Sequence, residues 1–276
     1  ISSSCDLSVL IAGVTVPGKY LSGAPATVKD ALRLPSFLNS KYTAICGPAV
    51  RFGFASGGGS TARFPRELED LYSFVIRGDP EVVVQSLLRE NFSEGVDLDS
   101  VRSSSDAINE YAARGARIIQ QHPSYPDGLI CEVETFRGCP RSITGGCSFC
   151  TEPLHGLPDF RSVKGIANEI SSLHFYGARN FRLGRQPDIL IYGSKDQNGY
   201  PAPSPSALRR LFSSIRKVAP GLKVLHIDNV NPATIYEHPD ESEDALKVIV
   251  SYHTPGDVAA LGIESADEEV IRRNNL

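Results

Sequence analysis

Three cysteines share one short stretch of this sequence, and their types and spacing could hold an iron–sulfur cluster. The stretch reads Arg137-Gly138-Cys139-Pro140-Arg141-Ser142-Ile143-Thr144-Gly145-Gly146-Cys147-Ser148-Phe149-Cys150. Such clusters are held by cysteine thiolates, and paired glycines let the backbone pass close to inorganic sulfide. With no obvious fourth cysteine, one iron would stay open, and an open iron can chelate a small molecule through an amine and a carboxylate. Cys139, Cys147 and Cys150 are therefore the predicted ligands of a [4Fe–4S] cluster.

A zinc site is the alternative for the same residues. The spacing Cys147-x2-Cys150-x4-His155 is a metal spacing in its own right, and Cys139 could complete a closed Cys3His site. The chain would then be an interaction module without catalysis. The cluster is preferred because structural zinc sites seldom follow the end of a barrel strand. The other cysteines, Cys5, Cys46 and Cys131, are predicted to be small core residues.

The elements around the cysteine loop must position it, and they alternate between strand and helix. Strands are predicted at 130–135, 180–183, 223–228 and 258–264. Helices are predicted at 164–176, 206–218, 244–252 and from Glu268 onward. Four strand–helix units in succession are typical of the first half of a (β/α) barrel, in which active sites lie at the carboxyl ends of the strands. The loop follows the first of these strands.

The cysteine loop resembles that of the radical S-adenosylmethionine (SAM) superfamily. Gly-Cys-x7-Cys-x-Phe-Cys after a barrel strand is similar to its motif, although the gap of seven residues between the first two cysteines is longer than usual. Gly262-Ile263-Glu264-Ser265 resembles a Gly-x-Glu-Ser segment of cobalamin-associated and methylthiotransferase-like members. The resemblance covers residues 129–276 and implies an enzyme that cleaves SAM to a 5′-deoxyadenosyl radical. It also implies an electron donor such as a ferredoxin or flavodoxin.

The resemblance further implies which residues contact SAM. Phe149 would pack near the adenine, Gly184 would lie at the edge that binds the amino group, and Glu264 and Ser265 would contact polar groups. Arg185 or Gln186 stands where an acidic residue is common in the family. The resemblance thus implies SAM contacts for Phe149, Gly184, Arg185, Glu264 and Ser265.

Several polar residues near the strand ends have two interpretations each. Asp228 or Asn229 could bind a ribose hydroxyl or the substrate, whereas His226 could equally be a core histidine. Arg182 and Arg185 flank a strand tip and could contact the SAM carboxylate or an anionic substrate. Solvated charge is the preferred interpretation of Arg141 and Arg161. The insertion at 186–205, with Tyr192 and Tyr200, could be a lid or a plain surface loop.

The N-terminal part indicates a separate α/β domain. Apolar strands at 8–14 and 42–46 flank a helix at 26–38 that Thr27 could cap, and a further strand at 74–77 precedes a helix at 80–89. This βαβ pattern predicts a Rossmann-like domain over 1–105, followed by a linker helix in 106–128 and the partial radical SAM barrel over 129–276.

The first domain resembles the cobalamin-binding type, but the Asp-x-His-x-x-Gly motif that supplies a cobalt-ligating histidine is missing. It would then be a cofactor-free relic, or bind cobalamin without a protein ligand. Glycines 57–59 lack the Lys-Ser/Thr of a phosphate loop, so no nucleotide site is expected there.

Composition narrows the class of protein. The 276 residues are 41% hydrophobic and carry a net charge of −4, which argues against a chain-wide basic surface for nucleic acid. No apolar run approaches the length of a membrane span, and no secretory signal opens the chain. Because the cysteines are clustered, we expect a reducing, cytoplasmic location. The substrate class stays open between a small molecule, an RNA and a protein. The lack of methionine leads us to expect a piece of a longer protein.

Overall fold

The computed structural model describes residues 5–13, 26–54, 63–195 and 199–276. The chain divides into two units. The first consists of residues 1–103 together with Ser148–Thr151, and the second of Ser104–Cys147 and Glu152–Leu276. Val14 and glycines 57–59, for which the sequence makes predictions, lie outside the described residues.

The first unit contains a parallel sheet of three strands in the order β1-β2-β3. The strands are β1 (Cys5–Ile11), β2 (Ser40–Cys46) and β3 (Phe74–Val75), and the helices are α1 (Val28–Arg33), α2 (Pro48–Phe52), α3 (Glu67–Leu71) and α4 (Pro80–Arg89). Neighbouring residues of β2 pack into two different hydrophobic clusters, because side chains alternate between the two faces of a strand. Ala44 and Cys46 pack with Val83 and Leu87, and Ile45 packs with Leu68. Both faces of this sheet are thus covered, as is usual for parallel sheets.

The predicted helix at 26–38 is shorter in the structure. Thr27 caps α1 as predicted, and Asp30 completes a capping box. The α-helix ends at Arg33, and Leu34–Phe37 continues as a 3-10 turn. Pro35 explains the change, since it has no N–H for an α-helical hydrogen bond.

The second unit carries a parallel sheet in the order β4-β7-β8 and two strand pairs. Its strands are β4 (Cys131–Glu134), β5 (Phe136–Arg137), β6 (Asp159–Phe160), β7 (Asn180–Gly184), β8 (Val224–Ile227), β9 (Asn229–Val230) and β10 (Ala260–Leu261). Strands β9 and β10 pair in parallel, and β5 and β6 pair antiparallel. The helices are α5 (Asn109–Gly115), α6 (Val163–Phe175), α7 (Pro205–Val218), α8 (Pro232–Glu237), α9 (Pro239–Tyr252) and α10 (Glu268–Asn274).

One face of the β4-β7-β8 sheet forms the core of the second unit. Val133, Phe181, Leu183 and Leu225 are fully buried there, together with side chains of α6 and α7 such as Ile170. The opposite face is polar, because the register aligns Glu132 with Arg182 and Arg182 with His226. Because β4, β7 and β8 are parallel, the loops that follow them begin at the same edge of the sheet.

The structure confirms a mixed α/β architecture with parallel sheets. The fourth predicted strand, at 258–264, is much shorter than expected and covers only Ala260–Leu261. Helix α9 begins five residues before the predicted start at 244, with Pro239 in its first turn, where a missing N–H costs nothing. Within the described ranges, no helix is both long and apolar enough to cross a membrane.

Candidate functional site

The cysteine loop begins at the carboxyl end of β4 and β5. Cys139 is extended, Pro140–Thr144 forms a 3-10 turn, and Gly145 and Gly146 follow with φ of +89° and +70°. A side chain at Gly146 would overlap with the Pro153 ring, and one at Gly138 would overlap with the carbonyl of Leu157. These glycines are required by the close folding of the loop onto 153–157, since residues with side chains rarely adopt positive φ.

The thiols of the loop differ in exposure. Cys139 is 9% exposed and its N–H donates to the Gly156 carbonyl at 2.9 Å, whereas Cys147 is half-buried. Arg141 Nη1 donates to Cys147 Sγ at 3.3 Å. All six cysteines lie in the described residues, and none forms a disulfide. The loop therefore offers free thiols, which are the kind of ligand that iron–sulfur clusters take.

The three thiols are not gathered into a metal site. Among the described residues, no three His, Cys, Asp or Glu side chains form a group that could hold a metal ion. Cys139 and Cys147 belong to the second unit, while the segment that carries Phe149 and Cys150 belongs to the first. His155 ends the 3-10 turn Glu152–His155 and joins no such group. Shared ligation by the three cysteines stays a prediction, and so does the zinc alternative.

Glu152 is a half-buried acid beside the loop that sequence reasoning missed. Its Oε1 accepts the N–H of Gly138 at 2.7 Å, directly before the first cysteine. Burial raises the pKa of Glu152, whereas the bond from Gly138 and the charge of Arg185 oppose that rise. Glu134 and Arg137 lie close enough to act on the same carboxyl. No sequence signal marks this residue, since it is one acid among many in a loop.

Three consecutive residues at the end of β7, Gly184, Arg185 and Gln186, have different surroundings. The Gln186 side chain is buried, accepts from Thr135 Oγ1 at 3.1 Å and donates to the Leu183 carbonyl. The Gln186 amide therefore links the end of β7 to the end of β4. Of Arg185 and Gln186, only Arg185 is then available for a role at the strand tip. Arg185 has a φ of +59°, a strained value for a residue with a side chain. Gly184 provides room for Glu132, since a Cβ there would lie 2.6 Å from Glu132 Oε1.

The end of β8 is occupied by ion pairs. Arg182 Nη2 pairs with Asp228 Oδ1, and this bond raises the pKa of Arg182. His226 Nδ1 lies 2.8 Å from Asp257 Oδ1, and Asp257 also accepts the N–H of Ile227. His226 is thus held by a buried carboxylate on the polar face of the sheet. Arg182 would have to leave Asp228 in order to bind an anion.

The segment after β10 contains the second strained residue at a strand end. Glu264 is exposed with a φ of +57°. Ser265 Oγ accepts the N–H of Asp267, and Asp267 in turn caps α10 by accepting from Val270. The structure therefore uses the Ser265 hydroxyl in starting the helix, while the Glu264 side chain stays at the surface.

The insertion at 186–205 is neither a lid nor a plain surface loop over most of its length, although 196–198 lie outside the described residues. Ile189, Leu190 and Ile191 are at most 1% exposed. Tyr192 donates its hydroxyl to the Arg161 carbonyl at 2.7 Å. The apolar run packs into the core because it follows directly from β7 and covers the sheet.

The interpretation of Arg161 as solvated charge is wrong. Arg161 is 2% exposed and makes an ion pair of 2.7 Å with Glu169, while its guanidinium also donates to Asn109 and to the Glu134 carbonyl. Arg141 is half-buried and bonds to Cys147. Packing of the strands and helices brings Glu169, Asn109 and the Glu134 carbonyl to the Arg161 guanidinium, which local sequence cannot reveal.

One small cleft joins the cysteine loop to the ends of the neighbouring strands. It is lined by Cys139 and Arg141 from the loop, Asp188 from the segment after β7, and Asn231 and Thr234 from the segment after β9. Burial raises the pKa of Asp188 to about 6, although Thr234 and Leu190 donate to its carboxylate. The cleft thus places a buried acid close to the first cysteine.

The chain is similar to proteins of archaea whose functions are not described. It is 44% identical over 275 residues to an uncharacterized protein of Methanocaldococcus jannaschii and 41% identical over 271 residues to one of Archaeoglobus fulgidus. Each match covers 98% of this chain but only 50% and 46% of the relative. A protein of Methanopyrus kandleri is 28% identical over 138 residues. No family model matches the chain. The chain spans about half the length of the first two relatives.

Proposed function

We propose that this chain is part of a radical SAM enzyme in which Cys139, Cys147 and Cys150 ligate a [4Fe–4S] cluster. The observation that carries the proposal is that the cysteine loop follows β4, at the carboxyl end of the parallel β4-β7-β8 sheet. A cysteine loop at the carboxyl ends of parallel strands lies where α/β folds carry their chemistry. On this proposal the second unit is the first half of a radical SAM barrel, and the first unit is a Rossmann-like domain of the cobalamin-binding type.

The backbone conformations of two residues are compatible with the proposal. Arg185 and Glu264 hold left-handed conformations after β7 and β10, and both lie in segments with proposed SAM contacts. Such conformations are concentrated at functional sites. Reductive cleavage of SAM to a 5′-deoxyadenosyl radical is the chemistry that a cluster with one open iron supplies. The cofactors on this proposal are the cluster and SAM, with a cytoplasmic ferredoxin or flavodoxin as electron donor.

On this proposal the residues of the chain would bind and orient SAM and would keep water away from it. The glycine-rich turns would let the backbone of the loop approach a cluster closely, and Glu152 accepts the N–H before Cys139. Gly184 and the strained Arg185 would present backbone and charge to the amino acid part of SAM. Buried side chains at 189–191 close the core beneath the cleft. The substrate stays open, because the two parallel-sheet units do not favour a small molecule, an RNA or a protein.

Metal analysis of the anaerobically purified chain tests the proposal. We expect a brown protein with about four irons and four sulfides per chain that is bleached by dithionite. With SAM and dithionite it should release 5′-deoxyadenosine. Cys139→Ala, Cys147→Ala and Cys150→Ala should each lose most of the iron, whereas Cys131→Ala, which alters a buried cysteine in β4, should keep it. A colourless chain with stoichiometric zinc would instead favour the interaction module.

A further inference from the structure

The seven residues between Cys139 and Cys147 contact the far end of α10. Asn275 Nδ2 donates to the carbonyls of Thr144 and Gly146 at 2.9 and 2.7 Å. Asn275 itself is the left-handed C-cap of α10, with a φ of +50°. Thr144 and Gly146 lie in the turn that leads directly into Cys147. One asparagine side chain therefore fixes the backbone immediately before the second cysteine.

Arg141 adds a second connection between the same elements. Its Nη2 donates to the carbonyl of Asn275, and its Nη1 donates to Cys147 Sγ at 3.3 Å. A guanidinium can serve two acceptors at once because its N–H groups form a rigid planar fork, whereas an ammonium is a point charge. Arg141 thus bridges the cap of α10 and the sulfur of a predicted cluster ligand.

Helix α10 carries this connection to a proposed SAM contact. Its N-cap is Asp267, which accepts the N–H of Val270 at 3.0 Å and is joined to Ser265 Oγ through its own N–H. Glu264 precedes that turn. Helix α10 has seven residues, so its two capped ends are about 10 Å apart along the helix axis.

We propose that Arg141 and Asn275 form a latch that positions Cys147 and couples it to the Glu264–Ser265 segment. The inference rests on the proposed function, because it assigns the latch to a cluster ligand. Arg141 and Asn275 are positioning residues, since neither is a ligand. A hydrogen bond to a ligating sulfur stabilises the more negative, reduced cluster and raises its reduction potential. The latch therefore sets both the position of the sulfur and the potential.

Hydrogen exchange of the metal-free chain tests the contact without any cluster. Asn275→Gly removes the side chain but keeps a residue that tolerates positive φ. We expect the amides of 141–147 to exchange about five to ten times faster in this variant and in Arg141→Met, because one or two hydrogen bonds are lost. Arg272→Met is the matched control. Its side chain is 73% exposed and pairs with Glu269 on the same helix, so the exchange at 141–147 should not change.

Redox titration of the reconstituted protein, followed by electron paramagnetic resonance, tests the role of the latch. We expect normal iron content and a more negative midpoint potential in Arg141→Met, an intermediate value in Arg141→Lys, and the wild-type value in Arg272→Met. Wild-type exchange and potential in Arg141→Met, with normal iron uptake, would overturn the latch alone. A wild-type chain that takes up no iron would overturn the proposed function, and the role of the latch with it.

Discussion

The carboxylate of Glu152 accepts the N–H of Gly138 at 2.7 Å, so a half-buried acid lies directly before the first cysteine of the loop. The two residues are 14 positions apart and belong to the two arms of the same loop. Because Gly138 has a positive φ and packs against the carbonyl of Leu157, its amide has few other ways to be satisfied. The pair therefore closes the loop on which the proposed function depends.

Removing the Glu152 carboxylate should loosen the turn at Cys139. We expect Glu152→Ala to lower the free energy of unfolding by about 1–3 kcal/mol, because a buried N–H loses its acceptor. Alkylation of Cys139, which is 9% exposed, should become faster. Urea unfolding and mass spectrometry of the alkylated peptides measure both effects. Glu152→Gln keeps an acceptor and should recover most of the stability; equal losses in the two variants would contradict this explanation.

A side chain at Gly184 should disturb the polar face of the sheet more than it disturbs the core. In Gly184→Ala the new Cβ would lie 2.6 Å from Glu132 Oε1. Since Glu132 is exposed and flexible, we expect a loss of at most about 1 kcal/mol of stability. If the chain binds SAM as proposed, that binding, measured by equilibrium dialysis, should nevertheless weaken.

The control for this variant is Gly115→Ala in α5. Nothing lies within 4 Å of a Cβ at Gly115, so the change should leave SAM binding alone and stabilise the helix by up to about 1 kcal/mol. SAM binding that is equally unaffected in Gly184→Ala would argue against a role for this strand end.

Asp188 should make stability depend on pH between about 4 and 6. Its pKa rises from 3.8 to about 6 because burial disfavours the charged form. A raised pKa means that the folded state binds the proton more tightly, so the contribution is complete below pH 3.8 and is lost as pH rises through 6. The two-unit shift corresponds to about 3 kcal/mol at most.

Asp188→Asn should remove this dependence while keeping the local bonds. The amide can accept from Leu190 and donate to the Thr234 hydroxyl, so a hydrogen bond to each of these partners can be kept. Urea unfolding at pH 4.5 and pH 7 should therefore show a smaller difference in the variant than in the wild type. Asp240→Asn, at an exposed position in α9, is the control and should keep the wild-type difference.

Breaking the buried pair of Arg161 and Glu169 should be costly. Arg161→Met leaves the Glu169 carboxylate buried and uncompensated, and we expect a loss of about 3–5 kcal/mol in the free energy of unfolding. The double variant Arg161→Met/Glu169→Leu should recover part of that loss, since no buried charge is left. Urea unfolding of the single and double variants measures the recovery. A double variant that is less stable than Arg161→Met would show that the ion pair is not the main reason for the loss.

Local sequence patterns were enough to predict the α/β architecture, but not where each strand and helix begins and ends. Apolar runs and helical periodicity predicted β2, β4, α6 and α7 within a few residues, because these signals reside in neighbouring side chains. The predicted strand at 258–264 is shorter because only Ala260 and Leu261 find a partner in β9. Strand pairing depends on residues elsewhere in the chain, and no local pattern contains it.

The sequence by itself determined the mixed α/β architecture and the cysteine loop at the end of a parallel strand, since both depend on residue types at short spacing. Only the tertiary structure decided which charges are buried and what each is bound to. Arg141 meets Asn275 across 134 residues, and Arg161 meets Asn109 across 52. Polar side chains in loops have no periodicity, and their partners are set by how the strands and helices pack.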